Sequence, residues 1–172
     1  MKRVVIVTGA GGGLGRAYAL DLAARGLRGL HGLSAYAASK AALIGLMRSL
    51  AAEGRSRDVL CNAVAPYAAT RMTSSHDDET FRDAMRPEYV APIVAVLVSE
   101  RGTINGQTIV AGGGRFRRAA TVEGLGLIYD DAARVTPEML EQDMEALLRV
   151  DGAHEFADAM TAFNDFSARV AK

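Results

Sequence analysis

Two groups of residues in this chain have the types and spacing to do chemistry. The first is Tyr36-Ala37-Ala38-Ser39-Lys40, which sets a phenol and an ammonium four positions apart. On a helix, positions i and i+4 lie on one face. A free tyrosine titrates near about 10, too high for a good proton acceptor at neutral pH. A neighbouring cation stabilises the phenolate and lowers that value. A phenol tuned in this way can give or take a proton while a hydride moves at the adjacent carbon, as reversible alcohol–ketone chemistry requires. Tyr and Lys at this spacing are common, so the pair needs support from elsewhere in the chain.

That support is the second group, Thr8-Gly9-Ala10-Gly11-Gly12-Gly13-Leu14-Gly15. It follows directly on Val4-Val5-Ile6-Val7, a short β-branched run that reads as a buried strand over residues 3–8. It opens a stretch in which Leu14, Ala17, Tyr18 and Leu22 recur at helical spacing. A strand, a glycine turn and a helix N-terminus together form a phosphate cradle. The first-turn N–H groups are unpaired, the helix dipole presents its positive end, and glycines let the backbone approach a pyrophosphate closely. The same glycines would also serve a tight turn that binds nothing.

The elements that must position these groups can be traced along the chain. A helix capped by Ser34 is predicted to run to about Glu53 and to stop at Gly54. Val59 to Ala65 reads as a second strand closed by Pro66, and residues 67–86 as a polar loop holding at most one short helix. Pro87-Glu88 starts a helix that reaches about Ser99. Asn105-Gly106 turns into a short strand, Gln107 to Val110, followed by Gly112-Gly113-Gly114 and a loop with Arg115, Arg117 and Arg118. Those arginines read as a solvated edge. Beyond Ala119 the pattern becomes helical. Thr136-Pro137-Glu138 begins one helix with an apolar stripe of Met139, Leu140, Met144, Leu147 and Leu148. A last helix spans Glu155 to Val170, with Phe156, Met160, Phe163 and Phe166 on one side. Both stripes are read as packing faces.

Together the loop and Tyr36-x-x-Ser39-Lys40 resemble the short-chain dehydrogenase/reductase family. The resemblance implies an NAD or NADP site at Gly9, Gly13, Leu14 and Gly15. It makes Tyr36 the acid/base and Lys40 its electrostatic partner, which also holds the cofactor ribose. Asn62-Ala63-Val64-Ala65-Pro66 resembles the strand end that frames the nicotinamide, and Thr70 the residue that contacts the carboxamide. The segments Arg86 to Pro92 and Ala111 to Phe116 are similar to the 3-hydroxyacyl-CoA dehydrogenase branch, related to peroxisomal multifunctional enzymes. That branch carries an extension after its core. The fold implied is α/β: a truncated Rossmann-like parallel sheet of about three strands with flanking helices. Residues 1–118 are assigned to the dinucleotide-binding part and residues 119–172 to a helical C-terminal extension.

The chain departs from the family in its centre. Only ten residues separate Arg25 from Tyr36, where the family has several strands and helices. The strand that discriminates NAD from NADP has no counterpart, nor has the Asn-Ala-Gly motif or the catalytic asparagine. The position of the substrate-orienting serine is Ala23. Two functions are therefore weighed. One is an NAD(P)-dependent oxidoreductase acting on a secondary alcohol or ketone such as a 3-hydroxyacyl thioester. The other is an internally deleted, non-catalytic remnant that acts at most as a dimerising module through the Ser34–Glu53 helix, with Leu43, Leu46, Met47 and Leu50 pairing against a second copy.

Composition narrows the remaining classes. Of 172 residues, 49% are hydrophobic, and 20 basic residues cancel 20 acidic ones. No broad positive field exists to gather nucleic acid, so that partner is not expected. The longest apolar stretch, Tyr89 to Val98, is too short to span a bilayer, so no membrane partner is expected and the compartment is read as cytoplasmic. Cys61 stands alone in an apolar run, which excludes a disulfide. His31, His76 and His154 are scattered, and no metal is expected. The glycine loop lacks the Lys-Ser or Lys-Thr of a P-loop.

Overall fold

The computed structural model describes residues 31–69 and 79–170. The expected first strand and the glycine loop lie outside the described residues. The chain divides into two compact units, Met1–Ala119 and Ala120–Lys172.

The first unit is built on a three-stranded mixed sheet in the order β1-β2-β3, where β1 is Ala63–Pro66, β2 is Thr108–Gly112 and β3 is Arg115–Ala119. Strands β1 and β2 run parallel, with Ala63 beside Thr108 and Pro66 beside Ala111. This pair is the Rossmann-like part of the sheet. Strand β3 then turns back antiparallel against β2. The predicted arginine loop is therefore corrected to a strand. The reason is the two-residue connection Gly113-Gly114, whose φ angles of +54° and +74° suit the tight hairpin turn that matches strand twist. The solvated character of Arg115, Arg117 and Arg118 survives, since all three are exposed.

Helix α1, Ser34–Gly54, agrees with the expected helix in extent but not in its cap. Leu33 occupies the N-cap position and no side chain caps the first turn, so Ser34 is the first helical residue. At the other end the helix tightens into a 3-10 turn, Arg55–Arg57. Asp58, at φ +54°, makes the left-handed exit that Gly54 was expected to make. Met47, Ala51 and Gly54 are buried, so the second half of the helix faces the core.

Strand β1 starts later than Val59 because the Val59 amide donates back to the Gly54 carbonyl at 3.0 Å and side chains take part of the hydrogen bonding at Cys61 and Asn62. The Cys61 amide donates to Asn105 Oδ1 at 2.9 Å, and Asn105 Nδ2 donates to the Ala51 carbonyl at 2.9 Å. Asn62 Nδ2 donates to the Ile104 carbonyl at 2.7 Å, and its Oδ1 accepts from the Gln107 amide at 3.0 Å. The Cys61 carbonyl accepts from the Gly106 amide at 2.8 Å, and the regular strand begins where Ala63 donates to the Gln107 carbonyl, 2.9 Å away. Half-buried Cys61 sits in this lattice, and burial pushes its thiol pKa up. Among the described residues the core is lined by short side chains: Ala65, Ala68, Val90 and Ala111 join Met47 and Ala51.

The polar loop contains one short helix, α2, Glu79–Ala84. The helix expected over residues 87–99 is a 3-10 turn at Pro87–Val90 leading into α3, Ala91–Val98. Pro92 falls in the first turn of α3, where its missing N–H costs nothing.

The second unit holds three short helices: α4 (Pro137–Gln142), α5 (Met144–Leu147) and α6 (Ala159–Val170). Thr136 caps α4 as its position implied, its Oγ1 accepting from the Met139 amide at 3.4 Å. Helix α6 begins four residues later than predicted because Asp158 caps it, its Oδ1 accepting from the Thr161 amide at 2.8 Å and the Thr161 hydroxyl at 2.9 Å. The apolar stripes are not packed as expected. Phe163 and Phe166 are 62% and 68% exposed, and Leu148 is 70% exposed. A backbone bridge between Glu123 and His154 closes this unit instead, with paired hydrogen bonds of 2.9 Å.

The Tyr129 phenol donates to Asp143 Oδ2 at 2.7 Å. That hydrogen bond, followed by desolvation and the carboxylate's charge, holds the phenol above its usual pKa. The neutral phenol is the favoured form in the fold. Its stabilisation is therefore present below the unfolded value of about 10 and is lost as pH rises through the raised folded value. Asp143→Asn is expected to lower the alkaline ultraviolet titration midpoint of Tyr129, assigned by difference against Tyr129→Phe. In the first unit, Asn105→Ala removes two hydrogen bonds that tie α1 to β1 and should cost about 1–3 kcal/mol in urea unfolding.

Candidate active site

Tyr36 and Lys40 both lie in the first two turns of α1, as their spacing required. The Lys40 ammonium sits 5.4 Å from the centroid of the Tyr36 ring, within cation–π range. Both residues are half-buried, and the Tyr36 hydroxyl oxygen is screened from solvent. A phenol shielded from water with an ammonium over its ring is suited to proton transfer, because a low local dielectric strengthens charge interactions there.

Ser39 occupies the third position between them but takes no part in orienting the phenol. Its hydroxyl donates to the Tyr36 backbone carbonyl at 2.7 Å, a bond within one turn of helix. This is the local back-bonding typical of serine in a helix interior.

The carboxyl end of the parallel pair provides the other described part of the site. In an open α/β sheet, ligands bind outside the carboxyl ends of the strands. Beyond β1, the Tyr67 amide donates to the Ala111 carbonyl at 2.7 Å, and the Ala69 amide donates to the Met85 carbonyl at 2.7 Å. The chain past the strand end is thus held by β2 on one side and by the end of α2 on the other. Gly112 lies beside Tyr67 so closely that a Cβ there would stand 2.2 Å from the Tyr67 carbonyl oxygen. Only glycine permits this approach.

Of the residues expected at the site, Tyr36 and Lys40 are brought together. Gly9, Gly13, Leu14, Gly15 and Thr70 lie outside the described residues. Asn62 was expected to frame a ligand, yet both polar atoms of its amide are committed to the polypeptide, at Ile104 and Gln107. Asn105 was read only as a turn residue. It proves to be the link between α1 and β1, and no local pattern could have revealed that. Met47 is buried within its own chain, which removes it from the helix face expected to pair with a second copy. Among the described residues, no group of three His, Cys, Asp or Glu side chains could hold a metal ion, and no helix is long and apolar enough to cross a membrane.

A family model described as Enoyl-(Acyl carrier protein) reductase matches residues 15–115, more than half of the chain. The chain is 40% identical over 105 residues to a short-chain type dehydrogenase/reductase of Mycobacterium tuberculosis, covering 61% of this chain and 37% of that protein. The chain belongs to the short-chain dehydrogenase/reductase family. It is therefore a member of an oxidoreductase family with a Rossmann-like fold. It is also 35% identical over 125 residues to mouse peroxisomal multifunctional enzyme type 2, covering 72% of this chain and 17% of that enzyme. Among solved structures, full-length peroxisomal multifunctional enzyme type 2 from Drosophila melanogaster matches with a TM-score of 0.74 and 25% identity, over 86% of this chain and 27% of that one. A short chain dehydrogenase from Mycobacterium avium matches with a TM-score of 0.58 and 38% identity, over 72% of this chain and 42% of that one. The chain thus spans less than half the length of each of these relatives.

Ser39 bonds only within its own helix, so Ser39→Ala is expected to leave thermal stability within about 0.5 kcal/mol of the parent. A larger loss on denaturant unfolding would show that its hydroxyl holds something outside the helix.

Proposed function

We propose that this chain is an NAD- or NADP-dependent oxidoreductase that interconverts a secondary alcohol and a ketone, with a 3-hydroxyacyl thioester as the substrate class. The observation that carries this reading is the Tyr36–Lys40 pair, a solvent-screened phenol with an ammonium 5.4 Å from its ring on one helix face. The thioester class is supported by the similarity to multifunctional enzymes and to the acetoacetyl-CoA reductase of Acinetobacter, 34% identical over 102 residues.

The residues present suit a nicotinamide cofactor. Lys40 offers a cation for the ribose hydroxyls, and Gly9, Gly13, Leu14 and Gly15 are the residues proposed to take the pyrophosphate. Thr70 is proposed to meet the carboxamide. When bound, the cofactor supplies or accepts the hydride. Tyr36 protonates the ketone oxygen in reduction and removes the alcohol proton in oxidation. Lys40 stabilises the phenolate left after the proton is given. The anchored turn from Tyr67 to Ala69 walls the carboxyl end of the parallel pair. Pairing of two copies through α1 belongs to the same proposal, with Leu46, 51% exposed, as the central contact.

The test is reduction of acetoacetyl-CoA followed by NADH and NADPH absorbance, with cofactor binding measured separately by fluorescence. Tyr36→Phe should lower the turnover number by about 100- to 10,000-fold while sparing cofactor binding. Lys40→Met should weaken both. A rate that is unchanged in Tyr36→Phe removes that residue from the mechanism, and a parent chain that binds neither NADH nor NADPH defeats the proposal.

A further inference from the structure

One charged surface is not used by the proton chemistry. Strand β3 reads Arg115-Phe116-Arg117-Arg118-Ala119, three cations in four residues with no acid among them, in a chain whose net charge is zero. All four of Arg115 to Arg118 are exposed. Successive side chains of a strand point to opposite faces, so Arg115 and Arg117 share one face and Phe116 and Arg118 the other. Arg118 is committed, its Nε donating to Gln107 Oε1. Arg115 and Arg117 form no ion pair with any described residue. Their partner strand, Thr108–Gly112, carries no carboxylate to neutralise them.

The placement of this pair is as informative as its charge. Arg115 pairs with Gly112 and Arg117 with Val110. Arg115 therefore sits at the carboxyl end of β2, beside the Gly112–Tyr67 contact, on the edge of the sheet where this fold class binds ligands. Two positions along a strand separate the Cα atoms that carry the forks by about 6.8 Å. Each guanidinium can take a phosphate through two parallel hydrogen bonds, and the spacing suits two phosphate groups on one molecule rather than one.

We propose that the Arg115–Arg117 face of β3 binds the phosphorylated adenosine end of a coenzyme A thioester. The inference rests on the acyl-thioester reading above and extends it from the reacting carbon to the opposite end of the substrate. Coenzyme A carries a 5′-pyrophosphate and a 3′-phosphate on one adenosine, which is the doubled anion that two separated forks fit. The 2′-phosphate of NADP is the other source of a phosphorylated adenosine, and the experiment separates the two.

Isothermal titration of the full chain with coenzyme A, 3′-dephospho-coenzyme A and 2′,5′-ADP, without any nicotinamide cofactor, tests the assignment. Coenzyme A should bind about tenfold or more tightly than its dephospho form, and more tightly than 2′,5′-ADP. Arg115→Gln with Arg117→Gln should weaken coenzyme A binding by about 10- to 100-fold. Arg115→Lys with Arg117→Lys, which keeps the charge but loses the forks, should fall between. The comparison of ligands on the parent chain needs no variant, so it holds even if a substitution disturbs the hairpin. Equal binding of coenzyme A and its dephospho form, tighter binding of 2′,5′-ADP, or no binding of coenzyme A overturns the proposal. Coenzyme A binding without Tyr36-dependent turnover would strike the proposed reaction alone. Turnover indifferent to both arginines would strike the patch alone.

Discussion

The side-chain amide of Asn105 is the constraint on which the arrangement of the first unit depends. It receives the Cys61 amide and donates to the Ala51 carbonyl, each at 2.9 Å. One planar group thereby fixes the last turns of α1 against the start of β1. Asn62 performs the matching task between β1 and the approach to β2. Among the described residues, the core between these elements consists mostly of alanines and one methionine, with Ala111 fully buried. Short apolar side chains supply little burial energy apiece. A partly buried hydrogen-bond network is directional where such a core is not, so it is the amides that set the angle and register at which the tyrosine helix meets the sheet.

The reacting pair and its supports were legible to different degrees, for a physical reason. Tyr36 and Lys40 could be paired from their spacing, because an α-helix converts a separation of four into proximity without reference to the rest of the chain. The Thr136 cap was legible for the same local reason. Asn105 was not, because its helical partner lies 54 positions upstream and an Asn-Gly dipeptide already has a sufficient explanation as a turn. Strand β3 was missed although Gly113-Gly114 is a known hairpin signal. Three arginines in four positions outweighed it, since charge reads as loop until a partner strand is seen. Asp158 is hidden as a cap because Phe156 carries the apolar stripe of α6 upstream of it.

The two units differ in how far sequence pattern translated into packing. In the first, the apolar positions of α1 and β1 largely found their places, and the buried face of α1 follows Met47, Ala51 and Gly54. In the second, stripes that meet every criterion of a packing face stand in solvent at Phe163 and Phe166. Periodicity reports that a helix has an apolar side, and it is silent about what that side meets. Backbone pairing between Glu123 and His154, together with the Tyr129–Asp143 hydrogen bond, does the organising there.

The two-glycine hairpin carries a consequence of parity. Side chains on β3 alternate faces, and the turn at Gly113-Gly114 alone sets which of them shares a side with the residues of β2. A one-residue slip of β3 against β2 would exchange the two faces of the strand, sending Phe116 and Arg118 where Arg115 and Arg117 now stand. A slip of two residues would restore the alternation while shifting it along the sheet. A residue gained in this connection must therefore be absorbed as a bulge if Arg115 is to stay opposite Gly112.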